Sequence, residues 1–238
     1  MWGFLHLVHL INESIIMIQS ARLLILLPFF LLLALVVGCG GGSSETEAPG
    51  SYLMDGPEHE KWEISLVEMR IEKNEEFSDP QRTALPVDRL KGFEGLNYFF
   101  PFPEMRFKTP FIAEAGTDTV SLTKRRGQVV PYLRRGYVKF KWQDESYSLD
   151  IFGPVDTKDG DYLWLPFFDA NSGKDVYAGG RYLDIELDTE GMVDLDFNYS
   201  YNPLCDYNPE RYNCTLPPVG NTLPFAVNAG EKTFSPGH

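Results

Sequence analysis

Histidine is scarce in this chain. Only four of the 238 residues are histidine, and only His59 and His238 lie beyond the first 38 residues. A Ser-His-Asp or Cys-His catalytic arrangement and a histidine-based zinc site all require histidine within the fold. We expect His59 to be exposed at the entrance to a helix, so the sequence offers no such site. Catalysis, if present, would use carboxylates, Tyr, Lys, Arg or Asn.

Basic residues are also few. The chain carries 21 Lys and Arg against 34 Asp and Glu, which gives a formal net charge of −13. Nucleic-acid binding needs clustered Lys and Arg, and the one such cluster, Lys124–Arg135, is interrupted by Pro131 and by apolar residues. We interpret it as two basic pairs that flank a loop and balance acids elsewhere. The composition therefore argues against nucleic acid as a partner.

No apolar run is long enough to span a membrane comfortably. The longest, Leu23–Val37, has fifteen residues and contains Pro28, whereas a spanning helix needs roughly 20. Arg22 precedes the run, and Gly38 and Cys39 follow it, which is the layout of an export signal. The ending VVGC resembles the bacterial lipobox, whose cysteine becomes the lipidated first residue of the mature protein. The alternative is an anchor helix with an incidental cysteine.

Three segments are predicted from this layout. Residues 1–38 form a lipoprotein signal peptide, with Met17 as an alternative start because no positive charge precedes it. Residues 39–54 form a flexible tether, because the composition GGGSSETEAPGS cannot bury enough surface to fold. Residues 55–238 form a single domain. We expect export, and attachment to the cell-envelope membrane through the lipid on Cys39.

The predicted domain begins with a helix and continues in strands. Asp55-Gly56-Pro57 is typical of a helix start and Ser78-Asp79-Pro80 of a helix end. Beyond Lys91 the hydrophobic period falls to two, which predicts a mainly β fold, an antiparallel barrel or sandwich with an N-terminal α-helix. Five apolar residues are expected on or beside one face of the helix: Trp62, Leu66, Val67, Met69 and Ile71.

Two hairpins are predicted. YVKFKW and YSLDIF alternate and are joined by QDES, which would set Trp142 opposite Tyr147. In the second hairpin, Tyr182–Asp188 is joined to a strand over Val193–Asn202 by a three-residue loop with Gly191 in the left-handed conformation. Three apolar pairs would then share the core face: Leu187 with Val193, Ile185 with Leu195, and Leu183 with Phe197.

The other face of the second hairpin is unusually acidic. Its register sets Glu186 opposite Asp194 and Asp184 opposite Asp196, and like charges in opposite positions are destabilising. Water, a basic side chain such as Arg181 or Lys139, or a bound cation would have to offset them. A solvated acidic face competes here with a fixed polar network or a small-ligand pocket. No calcium-loop motif occurs, and we predict neither a metal nor a cofactor.

Two cysteines remain beyond the predicted lipidation site. Cys205 and Cys214 lie nine residues apart in CDYNPERYNC. Outside the cytoplasm a disulfide is the default interpretation. Its closed loop would stabilise the fold by about 2–3 kcal/mol on the chain-entropy estimate.

Long stretches of the C-terminal third resemble one family. The phrases FFDANSGKDVYAGGRYLD, LDFNYSYNPLCDY, CTLPPVGNTL and AGEK are similar to the markers of the domain-of-unknown-function family 1684, and the resemblance extends from about Glu58 to the end. It implies a domain without implying a reaction. It also implies that functional residues cluster in this third, where we expect Arg181 to neutralise Asp184 and Asp196. The candidate ligand-binding residues are Arg181, Asp184, Asp196, Asn198, Tyr201, Asn202 and Glu231.

Three hypotheses of function follow. The first is a lipid-anchored extracytoplasmic domain that binds a small polar ligand at the Asp/Asn/Arg face. The second is an enzyme that uses the same pocket for carboxylate acid–base chemistry. In the third the polar residues only hold the Asn202-Pro203 turn and the disulfide loop. Tyr201 belongs to the pocket in the first two, although a regular strand would place it in the core.

Overall fold

The computed structural model of the chain describes residues 47–156 and 162–234, without the side chains of 115–117. The predicted signal peptide (1–38), the lipidation site Cys39 and the first part of the predicted tether lie outside the described residues. Within the described ranges, no helix is both long and apolar enough to cross a membrane.

The described chain is mainly antiparallel β with few helices, as predicted. The α-helices are α1 (Gly56–Ser78), α2 (Val87–Leu90) and α3 (Leu204–Tyr207), and 3-10 helices lie at Pro103–Met105, Phe197–Tyr199 and Val219–Asn221. The strands are β1 (Arg106–Pro110), β2 (Ile112–Thr123), β3 (Val129–Trp142), β4 (Glu145–Gly153), β5 (Leu163–Phe167), β6 (Arg181–Ile185) and β7 (Met192–Asp196).

The strands form two sheets. Five consecutive strands make an antiparallel meander in the order β2-β3-β4-β5-β6, and β1 pairs with β7 in a separate ladder. The hydroxyl of Thr109 on β1 donates to the backbone oxygen of Lys139 on β3 at 2.6 Å, which joins the two sheets. Among the described strands the sheets are not closed into a barrel.

A cluster of phenylalanine rings forms the centre of the main core. Phe197 packs against Phe107, Phe140 and Phe167 with ring centroids 6.2, 5.6 and 5.2 Å away. All four side chains are fully buried. Because Phe107 comes from the small sheet and Phe140 from the large one, burial of the same apolar surface stabilises both sheets together.

Helix α1 begins and ends where the sequence predicts. The Asp55 side chain caps it by accepting from the N–H of Glu58 at 3.0 Å, and Trp62 and Leu66 are buried. The expectation for Val67 and Ile71 was wrong, since they are 46% and 51% exposed. At 100° per residue they lie about 140° and 180° around the helix from Trp62, which places them on its outer face.

The first predicted hairpin exists with a different register. Strands β3 and β4 are joined by a two-residue turn at Gln143 and Asp144, whose φ angles are 50° and 65°. Trp142 therefore lies opposite Glu145, not Tyr147. A turn with two positive φ angles has the twist that paired strands prefer. The observed register differs from the predicted one by two residues. Because side chains alternate between the faces with a period of two, the same side chains still lie on one face of the sheet.

The second predicted hairpin is only correct at its turn. Gly191 is left-handed with φ 76°, and Leu187 pairs with Val193. Beyond that pair the two arms separate, because β6 joins β5 while β7 joins β1. The predicted pairs of Ile185 with Leu195 and of Leu183 with Phe197 do not form. Neither do the acid-on-acid pairs of the opposite face.

Strand β7 is shorter than the alternating sequence predicts. It ends at Asp196, whose carboxylate accepts from the N–H of Asn198 at 2.9 Å and caps a 3-10 turn. Short polar side chains of this kind compete with ladder hydrogen bonds for the backbone. The chain returns to pairing at Tyr201, which exchanges two backbone hydrogen bonds of 2.9 and 3.0 Å with Tyr182. The separation of the two arms leaves a gap in between.

Cys205 and Cys214 form the predicted disulfide, with their Cα atoms 5.9 Å apart. It closes the segment that contains α3. The described end of the predicted tether, by contrast, contacts the domain. The backbone oxygen of Pro49 accepts from the N–H of Lys141 at 2.8 Å, and the backbone oxygen of Arg106 accepts from the N–H of Tyr52 at 2.6 Å. The compact unit accordingly begins at Glu47, before the predicted boundary at residue 55.

Candidate functional site

A cavity of about 460 Å³ occupies the gap between the arms of the second hairpin. One wall is β6 and the residues that follow it, and the other is the chain from Asp194 to Tyr201. Helix α1, the loop before β1 and the C-terminal segment 227–232 contribute the rest. We call it the acidic cavity, because five of its lining residues are acids. It is lined by Met69, Lys73, Tyr98, Leu183, Asp184, Glu186, Asp194, Asp196, Tyr199, Ser200, Tyr201 and Glu231.

Four of the seven predicted ligand-binding residues line the acidic cavity. They are Asp184, Asp196, Tyr201 and Glu231. The other three, Arg181, Asn198 and Asn202, are at most 1% exposed and hydrogen-bond other parts of the protein. Of the predicted site, the first four residues therefore form part of the cavity wall, and the other three belong to a hydrogen-bond network in the interior.

Glu231 is the most buried acid of the cavity, with a side chain only 1% exposed. One carboxylate oxygen accepts from the ammonium of Lys73 at 2.8 Å and from the N–H of Asn202 at 3.1 Å. The other oxygen accepts from the hydroxyl of Tyr207. Burial, and then the Glu231 charge, raise the pKa of Tyr207 well above its usual range, so its hydroxyl remains a donor. The buried carboxylate is thus paired with a cation and hydrogen-bonded, as burial of charge requires.

Lys73 connects α1 to this network. Its ammonium lies 5.3 Å from the ring centroid of Tyr201 and 5.7 Å from that of Tyr207. These distances allow cation–π attraction. Its side chain is 21% exposed, so the ammonium is held between the core network and the cavity wall.

Asp184 lies on the opposite wall and is exposed. One of its carboxylate oxygens accepts from the hydroxyls of Tyr162 and Tyr201, both at 2.7 Å. Burial, followed by the charge of Asp184, raises the pKa of Tyr201, which keeps its hydroxyl protonated as a donor. The second oxygen of Asp184 and the carboxylate of Glu186 accept no hydrogen bond from any residue in the described ranges.

Asp196 is buried, and both its oxygens are occupied. Trp62 donates its indole N–H to one oxygen at 2.6 Å, and Asn198 donates its backbone N–H and its side-chain amide to the other at 2.9 and 2.8 Å. Burial raises the pKa of Asp196, while the bonds from Asn198 and Trp62 oppose that change. The arrangement fixes the entry of α1 against the end of β7.

Tyr98 lines the cavity and packs against Arg70, which is not a lining residue. The guanidinium of Arg70 stacks on the Tyr98 ring at 4.5 Å and donates one bond to the backbone oxygen of Phe99 at 3.1 Å. Its Nε and Nη2 atoms and the Tyr98 hydroxyl are buried without a hydrogen-bond partner in the described part of the chain. Unsatisfied buried donors are costly, so a bound water that accepts from these groups would be favourable beside Tyr98.

Arg181 does not neutralise Asp184 and Asp196, and that expectation was wrong. Its guanidinium is 1% exposed and forms an ion pair with the equally buried Asp169. It also donates to the backbone oxygens of three residues in the C-terminal segment: Val227, Ala229 and Glu231. Burial lowers the pKa of Arg181, and the charge of Asp169 opposes that shift. Arg181 therefore clamps the segment that carries Glu231.

Gly230 permits a close approach within the clamped segment. Its φ is 75°, and a Cβ there would lie 2.6 Å from the backbone oxygen of Ser200 and 2.7 Å from that of Phe197. Both contacts are with backbone, so no side chain could move aside. The glycine of the AGEK phrase thus lets the segment cross the 197–200 turn and brings Glu231 to the cavity.

The two predicted asparagines hold loops together. Asn198 accepts from the N–H of Phe102 at 2.8 Å and donates to its oxygen at 2.9 Å. The amide of Asn202 donates to Asp206 at 2.9 Å and to the backbone oxygen of Lys232 at 2.7 Å. Burial raises the pKa of Asp206 to about 6. Both asparagines have structural roles and do not line the acidic cavity.

Sequence reasoning missed Lys73 and Tyr98. The sequence did contain an indication of the role of Lys73, because this residue lies seven positions after Leu66 and therefore on the inward face of α1. A basic residue at a core position of an amphipathic helix indicates a buried acidic partner. Tyr98 lies in an irregular segment, where periodicity gives no information. No cluster of three or more His, Cys, Asp or Glu side chains that could hold a metal ion is found in residues 47–156 and 162–234.

Comparison with known proteins relates the chain to one family and to solved structures. A family profile described as "Protein of unknown function (DUF1684)" matches residues 91–232, which include all seven strands and Glu231. The solution NMR structure of an uncharacterised protein of Haloarcula marismortui is 33% identical, with 74% of this chain and 97% of that one covered and a TM-score of 0.58. No curated protein matches the chain.

We call the contacts of Arg181 with Asp169 and with the 227–232 segment the clamp. Removing the charge of Asp169 should destabilise the fold strongly. Asp169→Asn should lower the free energy of unfolding by about 3–5 kcal/mol, because the guanidinium would stay buried without its partner. Lys108→Met is the control, since it breaks an exposed pair with Asp188 and should cost less than about 1 kcal/mol. Urea unfolding followed by tryptophan fluorescence measures both. Equal losses in the two variants would contradict the role of the clamp.

Proposed function

Since the chain belongs to the DUF1684 family of proteins of unknown function, we propose its function from the site: it binds a small polar ligand in the acidic cavity. The observation that carries this proposal is the convergence of unpaired polar groups on one concave surface. A free carboxylate oxygen of Asp184 and the carboxylate of Glu186 lie on one side. Tyr98, whose buried hydroxyl has no partner in the described part of the chain, lines another side.

The size and charge of the cavity define the ligand class. About 460 Å³ is within the usual range for small-molecule sites. Lys73 and Glu231 neutralise each other, Asp194 forms an ion pair with Arg106 at 2.6 Å, and Asp196 is fully hydrogen-bonded. The lining acids that keep free oxygens are Asp184 and Glu186. A ligand with amine or hydroxyl donors fits this surface, because carboxylates are acceptors only.

The enzyme hypothesis has weaker support. Burial raises the pKa of Asp196, as expected of a general acid, but three hydrogen bonds occupy its oxygens. The structural hypothesis fits Arg181, Asn198 and Asn202. It gives no reason for the free carboxylate groups of Asp184 and Glu186. Binding therefore accounts for more of the site than either alternative.

We also propose that the protein is a bacterial lipoprotein, exported and held at the membrane by a lipid on Cys39. The support comes from the sequence, in which Arg22, the apolar run and VVGC stand in the order of an export signal with a lipobox. One lipid-bearing residue would then place the ligand-binding domain outside the cytoplasm.

Ligand binding can be tested by thermal shift on the full chain in detergent. The panel comprises amines, amino sugars, neutral sugars, nucleotides, carboxylates and metal ions. A ligand at 100 times its Kd stabilises by about 2.7 kcal/mol, a shift of a few degrees in Tm. We expect at least one amine or hydroxyl-rich member to give it, and Glu186→Gln to weaken it about tenfold. Glu190→Gln, on the adjacent exposed loop, is the control.

Two results would contradict the binding proposal. One is the absence of a shift with every member of the panel. The other is a shift that Glu186→Gln and Asp184→Asn leave as large as Glu190→Gln does.

Lipidation can be tested by mass spectrometry of the amino terminus after expression in a bacterium. We expect a diacylglyceryl cysteine at residue 39 in the membrane fraction, and expect Cys39→Ser to lose both the lipid and the cleavage before residue 39. Ser43→Ala is the matched control and should behave as wild type. An unmodified, uncleaved wild-type chain would refute the lipid anchor.

A further inference from the structure

A second concave surface lies beyond Lys73 and Tyr201, which line both cavities. Its volume is about 540 Å³, and eight of its lining residues are aromatic. We call it the aromatic cleft. The aromatic residues are Phe77, Tyr132, Tyr162, Trp164, Tyr182, Tyr201, Tyr207 and Tyr212.

The rings of the cleft meet at steep angles. Trp164 and Tyr182 are 4.8 Å apart with an interplanar angle of 81°, and Tyr182 and Tyr201 are 5.8 Å apart at 88°. Tyr132 lies only 5.2 Å from Trp164, so those two rings contact each other and leave no slot between them. These rings offer a floor and side walls. Such a surface suits a ring with one apolar face and a polar edge, the shape of a sugar.

The cleft is lined by neutral polar groups as well as by charged ones, and its one acid, Glu76, lies 3.9 Å from the guanidinium of Arg82. The hydroxyls of Tyr132 and Thr215 lie 3.2 Å apart, and the amides of Asn202 and Asn213 belong to the same lining. Hydroxyl and amide groups can both donate and accept. They complement the hydroxyls of a sugar better than they complement a hydrocarbon.

One end of the cleft is positively charged. Lys124 lines it, and its ammonium has no ion-pair or hydrogen-bond partner among residues 47–156 and 162–234. The adjacent Arg125 and Arg126 donate to the backbone oxygens of Pro209 and Glu210 and not to carboxylates. The expectation that this basic pair balances acids was therefore wrong. Lys124 therefore brings a positive charge to the cleft in a chain with a net charge of −13.

The second basic pair of the same cluster behaves differently. Arg134 donates to the carboxylates of Glu114 and Asp150, as expected of a pair that balances acids. Of this cluster, Lys124 is the cation that lines the aromatic cleft.

We propose that the aromatic cleft is a second binding site, for a sugar unit that carries a carboxylate, that is, a hexuronate. The C–H face of the sugar packs on the aromatic floor and its carboxylate reaches Lys124, forming a charge-assisted hydrogen bond. This site is distinct from the acidic cavity, whose carboxylates repel an anionic ligand. The proposal does not depend on the proposed function of that cavity.

The test is isothermal titration of the full chain in detergent with D-glucuronate and D-galacturonate. Glucose and galactose are the neutral counterparts, and benzoate is a planar anion. We expect the uronates to bind, with about tenfold loss in Lys124→Met and no loss in Lys61→Met, an exposed lysine of α1. Tyr132→Leu, which keeps an apolar side chain but removes the ring, should weaken both charged and neutral sugars. Thermal unfolding confirms that each variant is folded.

A galacturonate oligomer separates two sources of the same chemistry. Tighter binding of the oligomer than of the monomer would indicate a polysaccharide, and equal binding would indicate the free sugar acid; both support the proposal. Four results would overturn it: no binding of either uronate, equal binding of uronates and neutral sugars, benzoate binding as tightly as a uronate, or equal loss in Lys124→Met and Lys61→Met. Loss of uronate binding in Glu186→Gln would also overturn it, because Glu186 lines the acidic cavity and not the aromatic cleft.

Discussion

The buried guanidinium of Arg181 is the contact on which the candidate site depends. It binds Asp169 and the backbone oxygens of the 227–232 segment at once. Arginine suits this position because its five donors are held in a fixed planar fork and its charge is never lost. A lysine would supply one flexible ammonium. Burying this cation is costly, and the fold offsets the cost with a carboxylate and with carbonyl groups that would otherwise lack donors.

The clamp acts on function through Glu231. Arg181 holds the 227–232 segment through three of its backbone oxygens. The Glu231 carboxylate thereby lies against Lys73 of α1, a residue 158 positions earlier in the chain. Trp62 of the same helix bonds Asp196 at the end of β7. Through these contacts the helix is attached to the C-terminal segment at Lys73 and to the small sheet at Trp62. Its residue Lys73 lines both the acidic cavity and the aromatic cleft, so docking of the helix completes both.

The sequence predicted local features well, but it predicted poorly which strands pair and which side chains contact each other. The ends of α1 follow from Asp55 and Pro80, and the disulfide follows from two cysteines in a sequence that begins with the layout of an export signal. Alternation correctly placed Leu195 in the core, because strand parity fixes which face a side chain takes. It could not show that β6 joins β5 while β7 joins β1, since parity does not identify the neighbouring strand. The acids predicted to pair across a ladder instead line the gap that this divergence opens.

The central claim is that the clamp makes the 227–232 segment part of the cooperative core and so fixes Glu231. Native-state hydrogen exchange of the Glu231 and Lys232 amides tests it most directly, because these donate to Ser200 and Asn97. If Arg181 holds the segment, both amides exchange only through global unfolding, with the same free energy and denaturant dependence as buried amides of β3 and β4. Exchange by local opening, at a much lower free energy and without denaturant dependence, would contradict the claim.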